Sequence, residues 1–186
     1  MSIKYWDDVD QNTDEWHKIR NDHPLSGSTS YDFMIARNPA SYEVKKSNFS
    51  GNKYTERGHD LEPIARSLLE KVYDIKVQET GFVTNTKYEY SGCSPDGYTE
   101  EHLVEIKCFN PERHQANAKI IEAKILSQIQ WNMMIMEKKK GLLVLFCPDK
   151  SLEPADQLVI KEVEANQAVW DNMSNRIDLY VASRNS

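Results

Sequence analysis

Several things are scarce in this 186-residue chain, and each scarcity excludes something. Its three cysteines, Cys93, Cys108 and Cys147, are too few and too scattered for a disulfide framework or a thiolate metal cage, so they are expected to be buried, reduced thiols. The five histidines form no HxxxH or similar ligand pair, which argues against zinc. No apolar run approaches the roughly 20 residues a membrane helix requires. The opening Met1-Ser2-Ile3-Lys4-Tyr5-Trp6-Asp7-Asp8 lacks a signal-peptide core, so a cytoplasmic, membrane-free protein is expected, in the host cytoplasm if the chain is phage-encoded. Internal repeats and low-complexity segments are absent. Basic residues are outnumbered by acidic ones, giving a net charge of −6, which at first sight speaks against nucleic acid. Only the field near a binding groove matters, however, and basic residues do cluster: Lys45 and Lys46; Arg113, Lys119 and Lys124; and Lys138, Lys139 and Lys140. Each cluster also reads as a solvated surface, and the last as a helix end where cations meet the macrodipole.

What is present fits one soluble domain over residues 1–186, with 39% hydrophobic and 28% charged residues. The most informative stretch is Ser94-Pro95-Asp96-Gly97-Tyr98-Thr99-Glu100-Glu101-His102-Leu103-Val104-Glu105-Ile106-Lys107. Pro95 and Gly97 set Asp96 at a turn, and the polar run 99–102 separates two segments rich in strand formers. Residues two apart on a strand share a face, so Glu105 and Lys107 project together while Ile106 points the other way. A hairpin would make Asp96 and Glu105 converge. Two carboxylates about 4 Å apart repel by about 1 kcal/mol in water and several-fold more in a desolvated cleft, so such a cluster calls for a cation. Oxygen-only ligands point to magnesium or manganese, and Lys107 adds positive charge where phosphodiester hydrolysis would need it. The plainer reading is that Pro-Asp-Gly is an ordinary turn and Glu-x-Lys a solvent-facing charge pair.

Thr13 can cap a first short helix, and Ser28 or Ser30 a second running through Met34 and ending near Pro39. Residues 45–54 are polar and read as a loop. Leu61, Ile64, Ala65, Leu68, Leu69 and Val72 recur at helical spacing. Strands are expected at 76–78, 81–84, 88–93 and 103–108. A helix over 116–137 carries Ile121, Ile125, Ile129, Met133 and Met136; strands follow at 142–146 and 158–163, and a last helix over 166–182.

Asp96, Glu105 and Lys107 resemble the PD-(D/E)xK nuclease signature, and Cys93-Ser94-Pro95-Asp96-Gly97 resembles the lambda-exonuclease-like viral recombinase branch. Further segments carry the same resemblance: Trp16-His17-Lys18-Ile19-Arg20 with Ser26-Gly27-Ser28; Gly58-His59-Asp60-Leu61-Glu62-Pro63-Ile64-Ala65-Arg66; Gln128-Ile129-Gln130; and Phe146-Cys147-Pro148-Asp149. Together they span residues 16–149. The loop between Arg20 and Ser28 is one residue longer than the family pattern, and Pro63 stands inside the expected helix, where an interior proline removes a hydrogen bond or kinks the chain.

The resemblance implies an α/β fold with a restriction-endonuclease-like core, a central mixed β-sheet flanked by helices. It implies that Asp96, Glu105 and the Ile106 carbonyl hold Mg2+ (or Mn2+), that Glu62 adds a carboxylate, and that Lys107 positions the nucleophilic water. Arg20, Ser28, Ser94 and Gln130 match the family's pocket for a terminal 5′ phosphate. Gln128 lies about 200° round the helix from Gln130, so the two do not serve one pocket. The activity implied is 5′-to-3′ exonuclease action on double-stranded DNA ends, leaving 3′ overhangs for phage-type recombination, by a homotrimer ring working with a single-strand annealing protein. The scattered cysteines argue against the iron–sulfur relatives of this signature. Two alternatives stay open: a structure- or sequence-selective endonuclease, and a non-catalytic DNA-binding domain of the same fold.

Overall fold

The computed structural model describes residues 2–44, 53–148 and 157–185. A first strand, β1 (Ile3–Trp6), leads to α1 (Asp14–Asp22), whose N-terminus Thr13 caps as expected by accepting the Trp16 N–H. A two-residue strand, β2 (Leu25–Ser26), runs directly into α2 (Gly27–Ile35). Ser26, rather than Ser28 or Ser30, is the cap of α2, because Thr29 returns a reciprocal hydrogen bond to the Ser26 N–H in a capping box. That leaves Ser28 exposed and lets Ser30 bond inward to the Gly27 carbonyl and to Ser127.

Helix α3 (Lys53–Tyr73) is 21 residues long and continues through Pro63, in line with the helical spacing from Leu61 to Val72. Its buried Ala65 and Leu69 hold it against a sheet, and tertiary packing outweighs the one hydrogen bond that proline removes. Most of the loop expected at 45–54 lies outside the described residues; residues 53 and 54 already belong to this helix. Then come β3 (Phe82–Asn85), β4 (Ser91–Cys93), β5 (Gly97–Tyr98) and β6 (His102–Cys108). The strand expected at 76–78 shrinks to a single bridge between Gln78 and Tyr98.

The helix expected over 116–137 is two helices, α4 (Pro111–Lys119) and α5 (Ala123–Met136). The buried Asn117 breaks it: its side chain accepts the Glu122 N–H at 2.9 Å and donates to the Glu122 carboxylate at 2.8 Å, ending one helix and opening the next. After α5 come β7 (Lys140–Phe146), β8 (Leu158–Glu164) and α6 (Gln167–Arg184). Lys138 does not serve the helix end; its ammonium donates to the Thr99 and Glu100 carbonyls and so holds the β5–β6 turn.

The mixed α/β architecture is the expected one, with its strands divided between two four-stranded sheets ordered β1-β3-β4-β2 and β5-β6-β7-β8, each containing one parallel pair. Helix α5 packs on both. Ile125, Ile129, Met133 and Met136 join one core with Leu103, Leu143 and Leu145, while the alternate residues Val104, Ile106, Val144 and Phe146 face α3 in a second core. Among the described residues no helix is long and apolar enough to cross a membrane.

The α4–α5 corner yields a pH prediction. The Arg113 guanidinium grips Glu122 through both oxygens at 2.7 Å and, with Asn117, lowers its pKa from 4.5 to about 2. A depressed carboxylate stabilises the fold above its unfolded pKa, and that contribution is lost as pH falls through the folded value. Glu122→Gln should therefore lower stability at pH 7 by no more than about 1 kcal/mol, since the pair is solvent-exposed, and the deficit should vanish between about pH 4.5 and 2 in denaturant titrations.

Candidate active site

The site lies where β5 ends along β6. The antiparallel register pairs Gly97 with Val104 and Tyr98 with Leu103, so Asp96, one step further, arrives beside Glu105. The turn responsible is 99–101, closed by the Thr99 N–H to the His102 carbonyl at 2.8 Å. Asp96 Oδ2 accepts the Ile106 N–H at 2.6 Å, leaving its second oxygen outside that bond. Because the N–H and C=O of a strand residue point to the same side, the Ile106 carbonyl also faces the Asp96 side, past the end of β5.

Glu105 is fully buried. Its Oε1 accepts from Lys107 Nζ at 2.5 Å and from Gln128 Nε2 at 2.6 Å, and its Oε2 accepts from Asn132 Nδ2 at 3.2 Å. Burial, reinforced by Asp96 and Glu62, raises its pKa to about 7 against the opposing pull of Lys107. Glu62 is likewise pushed up to about 7 by burial and Asp96, against Arg66 and Lys107. Burial alone would lower the Lys107 pKa, but Glu105 and Asp96 outweigh it and the ammonium is favoured. Arg66 braces the cluster from α3, bonding Glu62 at 2.6 Å, the Asp96 carbonyl at 2.9 Å and Glu79 at 2.8 Å. An open cleft of about 290 Å3 runs past Glu62, Arg66 and Asp96 and is further lined by Asp7, Asp10 and Glu79.

Glu62 and Glu105, each pushed up by burial and by the neighbouring Asp96 carboxylate, are groups whose repulsion a hard divalent cation would relieve. Asp96, Glu105, Glu62 and the Ile106 carbonyl are the oxygens available for it.

A second cluster stands nearby, built on Trp16. Its indole N–H donates to the Gly81 carbonyl at 2.9 Å and to Ser94 Oγ at 3.0 Å, while its ring carries the Arg20 guanidinium 4.8 Å from its centroid. Arg20 donates to Ser28 Oγ at 2.6 Å and to Ser26 Oγ at 3.3 Å. Surface pairing of Arg20 with Glu15 or Asp22 does not occur; among the described residues it has no carboxylate partner, and burial lowers its pKa. A desolvated cation held by neutral hydroxyls at the N-terminus of α2 offers positive charge and hydrogen-bond donors to an anion.

Gln130 is the exception among the expected residues. It is buried between α5 and α6, donating to the Glu164 carbonyl and accepting from the Asn166 N–H and the Trp170 indole. The helix turns it away from the site, and the 200° offset that excludes it brings Gln128 onto Glu105 instead. Sequence reasoning also missed Ser26, Arg66 and Asn132 as site neighbours. Arg66 and Asn132 each lie one helical turn after a residue already singled out, Glu62 and Gln128, and that spacing was the available signal.

Residues 15–139 match the YqaJ-like viral recombinase domain, and the chain belongs to that family. Its fold is similar to that of an alkaline exonuclease (LHK-Exo) from Laribacter hongkongensis, with TM-score 0.76, 21% identity and 91% of each chain covered. The complex of LHK-Exo with dAMP aligns equally well, at TM-score 0.76 and 22% identity over 91% of each chain. A phage-related exonuclease from Haemophilus somnus 129PT aligns at TM-score 0.64 and 14% identity, over 87% of this chain and 96% of the other. No curated protein matches the chain.

The reassignment of Gln130 is testable. Gln130→Leu leaves the Asn166 N–H and the Trp170 indole N–H without their acceptor, and stranded buried donors cost about 1–3 kcal/mol each. The variant should lose stability in denaturant unfolding by at least about 1 kcal/mol, whereas Gln128→Leu, at a half-buried position, should lose less.

Proposed function

We propose that the chain is a divalent-metal-dependent exonuclease that digests double-stranded DNA from a 5′ end and leaves a 3′ single strand for recombination. The observation that carries the reading is the joining of two clusters by one short path. The acidic cluster with Lys107 is linked to the Arg20–Ser26–Ser28 cradle through Trp16 and Ser94, the residue two before Asp96. Either cluster alone has a plainer explanation; the pair matches a terminal phosphate beside a scissile one.

In this reading Arg20 grips the 5′-terminal phosphate, helped by the hydroxyls of Ser26, Ser28 and Ser94. Fixing the charged end places the adjacent phosphodiester at the carboxylates, a gain in orientation that needs no new chemistry. Asp96, Glu105, Glu62 and the Ile106 carbonyl hold Mg2+ (or Mn2+), which when bound polarises phosphate oxygen and lowers the pKa of water. Lys107, held by Glu105, orients the attacking water and offsets charge gathering on the phosphoryl oxygens. Arg66 keeps Glu62 and the Asp96 backbone in place. The family resemblance further supports a homotrimer ring and a single-strand annealing partner.

The deciding assay is a time course with linear 5′-phosphorylated duplex beside covalently closed circles, with magnesium and with chelator. Magnesium-dependent loss of the linear substrate alone is expected; cut circles would mean an endonuclease, and untouched substrates a binding domain. Lys107→Ala and Asp96→Ala should each abolish hydrolysis with an unchanged circular dichroism spectrum. Arg20→Ala should erase the preference for 5′-phosphorylated over 5′-hydroxyl ends while leaving slow, end-independent hydrolysis.

A further inference from the structure

Asn132 is 1% exposed, donates to Glu105 Oε2 through Nδ2, and leaves its Oδ1 buried without a hydrogen-bond partner. Burying an amide with one end unsatisfied is costly, and the packing here favours an apolar side chain of the same shape. Turning the amide over offers no relief, because it would set a carbonyl against the Glu105 carboxylate. The orphaned oxygen occupies a particular place: it lies 2.1 Å from where a β-carbon on Gly27 would stand. The Cγ of Gln128, the other amide that holds Glu105, would lie 3.2 Å from that same β-carbon. Gly27 is buried at the first turn of a helix and has no left-handed backbone conformation, so space rather than conformational freedom calls for glycine. Its neighbours on either side, Ser26 and Ser28, are the two hydroxyls bonded to Arg20. The phosphate cradle is thus seated directly on the two side chains that position the buried metal carboxylate, and the Ser30–Ser127 bond at 2.9 Å ties the same two helices one turn further on.

Resting on the exonuclease reading above, we propose that Gly27 and Asn132 act as a spacer: their close contact fixes the separation between the terminal-phosphate cradle and Glu105, and so fixes which phosphodiester is presented for hydrolysis. Asn132 is a positioning residue in this scheme; it touches Glu105 and the α2 backbone rather than substrate. A methyl group on Gly27 would overlap Asn132 Oδ1, so either α2 moves away from α5 or Asn132 is pushed off Glu105, and a displacement on the order of 1 Å at a reacting centre costs on the order of 100-fold in rate.

The test compares wild type, Gly27→Ala, Gly27→Ala/Asn132→Ala and Asn132→Leu on linear duplexes with 5′-phosphate and 5′-hydroxyl ends across a magnesium titration. Gly27→Ala should lose its 5′-phosphate preference and at least about tenfold in kcat on phosphorylated ends, although alanine is the better helix former. The double variant, with room restored, should regain the preference while its kcat stays reduced through the lost donor to Glu105. Asn132→Leu, which keeps the volume and removes the donor, should need more magnesium for half-maximal rate and keep the end preference. A wild-type preference in Gly27→Ala, or a double variant as indifferent to the 5′ phosphate as the single one, overturns the spacer. If Gly27→Ala fails to fold by circular dichroism, the double variant decides: restored folding with the 5′-phosphate preference supports the spacer, and a double variant that folds without the preference, or does not fold, overturns it. Wild-type protein that does not hydrolyse ends at all would instead overturn the exonuclease reading beneath it.

Discussion

A carboxylate with no solvent exposure cannot stay ionised in a protein interior unless donors and positive charge surround it, and Glu105 imposes that requirement on everything nearby. Three side chains answer it: Lys107 from the same strand face, and Gln128 and Asn132 from one face of α5. Meeting it forces α5 against the β5-β6-β7-β8 sheet at a fixed rotation, and that rotation then decides the rest of the helix. Ile125, Ile129 and Met133 enter the core, Trp131 reaches the Gly92 carbonyl, and Gln130 is sent to the α6 side. Even with these donors, burial first and then the neighbouring Asp96 and Glu62 push the carboxyl up to about 7, so its charge is incompletely compensated.

The same helix joins the two sheets, so the geometry of the acidic cluster and that of the Arg20 cradle are coupled through it. Trp16 provides a second link, since one indole orients Ser94 by hydrogen bonding and Arg20 by stacking. A net charge of −6 is no obstacle to a phosphate-binding role under these conditions. The local field of a desolvated guanidinium at a helix N-terminus acts over a few Å, while charges elsewhere on the surface are screened beyond about 10 Å at 0.1 M salt.

Much of this was legible in the linear chain. Alternation along 103–107 placed Glu105 and Lys107 opposite Ile106, and the turn residues between Asp96 and His102 brought the first carboxylate back to the second; the register agrees with both. Local rules read such features because they depend on neighbours within a turn or a hairpin. The failures were also local rules, overridden from a distance or by an unnoticed side chain. A single buried asparagine at 117 divided an otherwise continuous helical pattern, and the strand expected at 76–78 shrank to one bridge with Tyr98.

The sequence by itself determined the make-up of the candidate site: which carboxylates, which lysine, which arginine and serines are proposed for it, and an α/β order able to gather them. Periodicity fixed which residues share a face within an element. It did not fix how α5 is rotated against the sheet, so the choice between Gln128 and Gln130 was left to the tertiary structure. The seating of Gly27 on Asn132 was likewise invisible, because the two are 105 positions apart and meet only once α2 and α5 have docked. Side-chain spacing along a chain is set by backbone geometry, whereas distances between helices are set by the volumes packed between them.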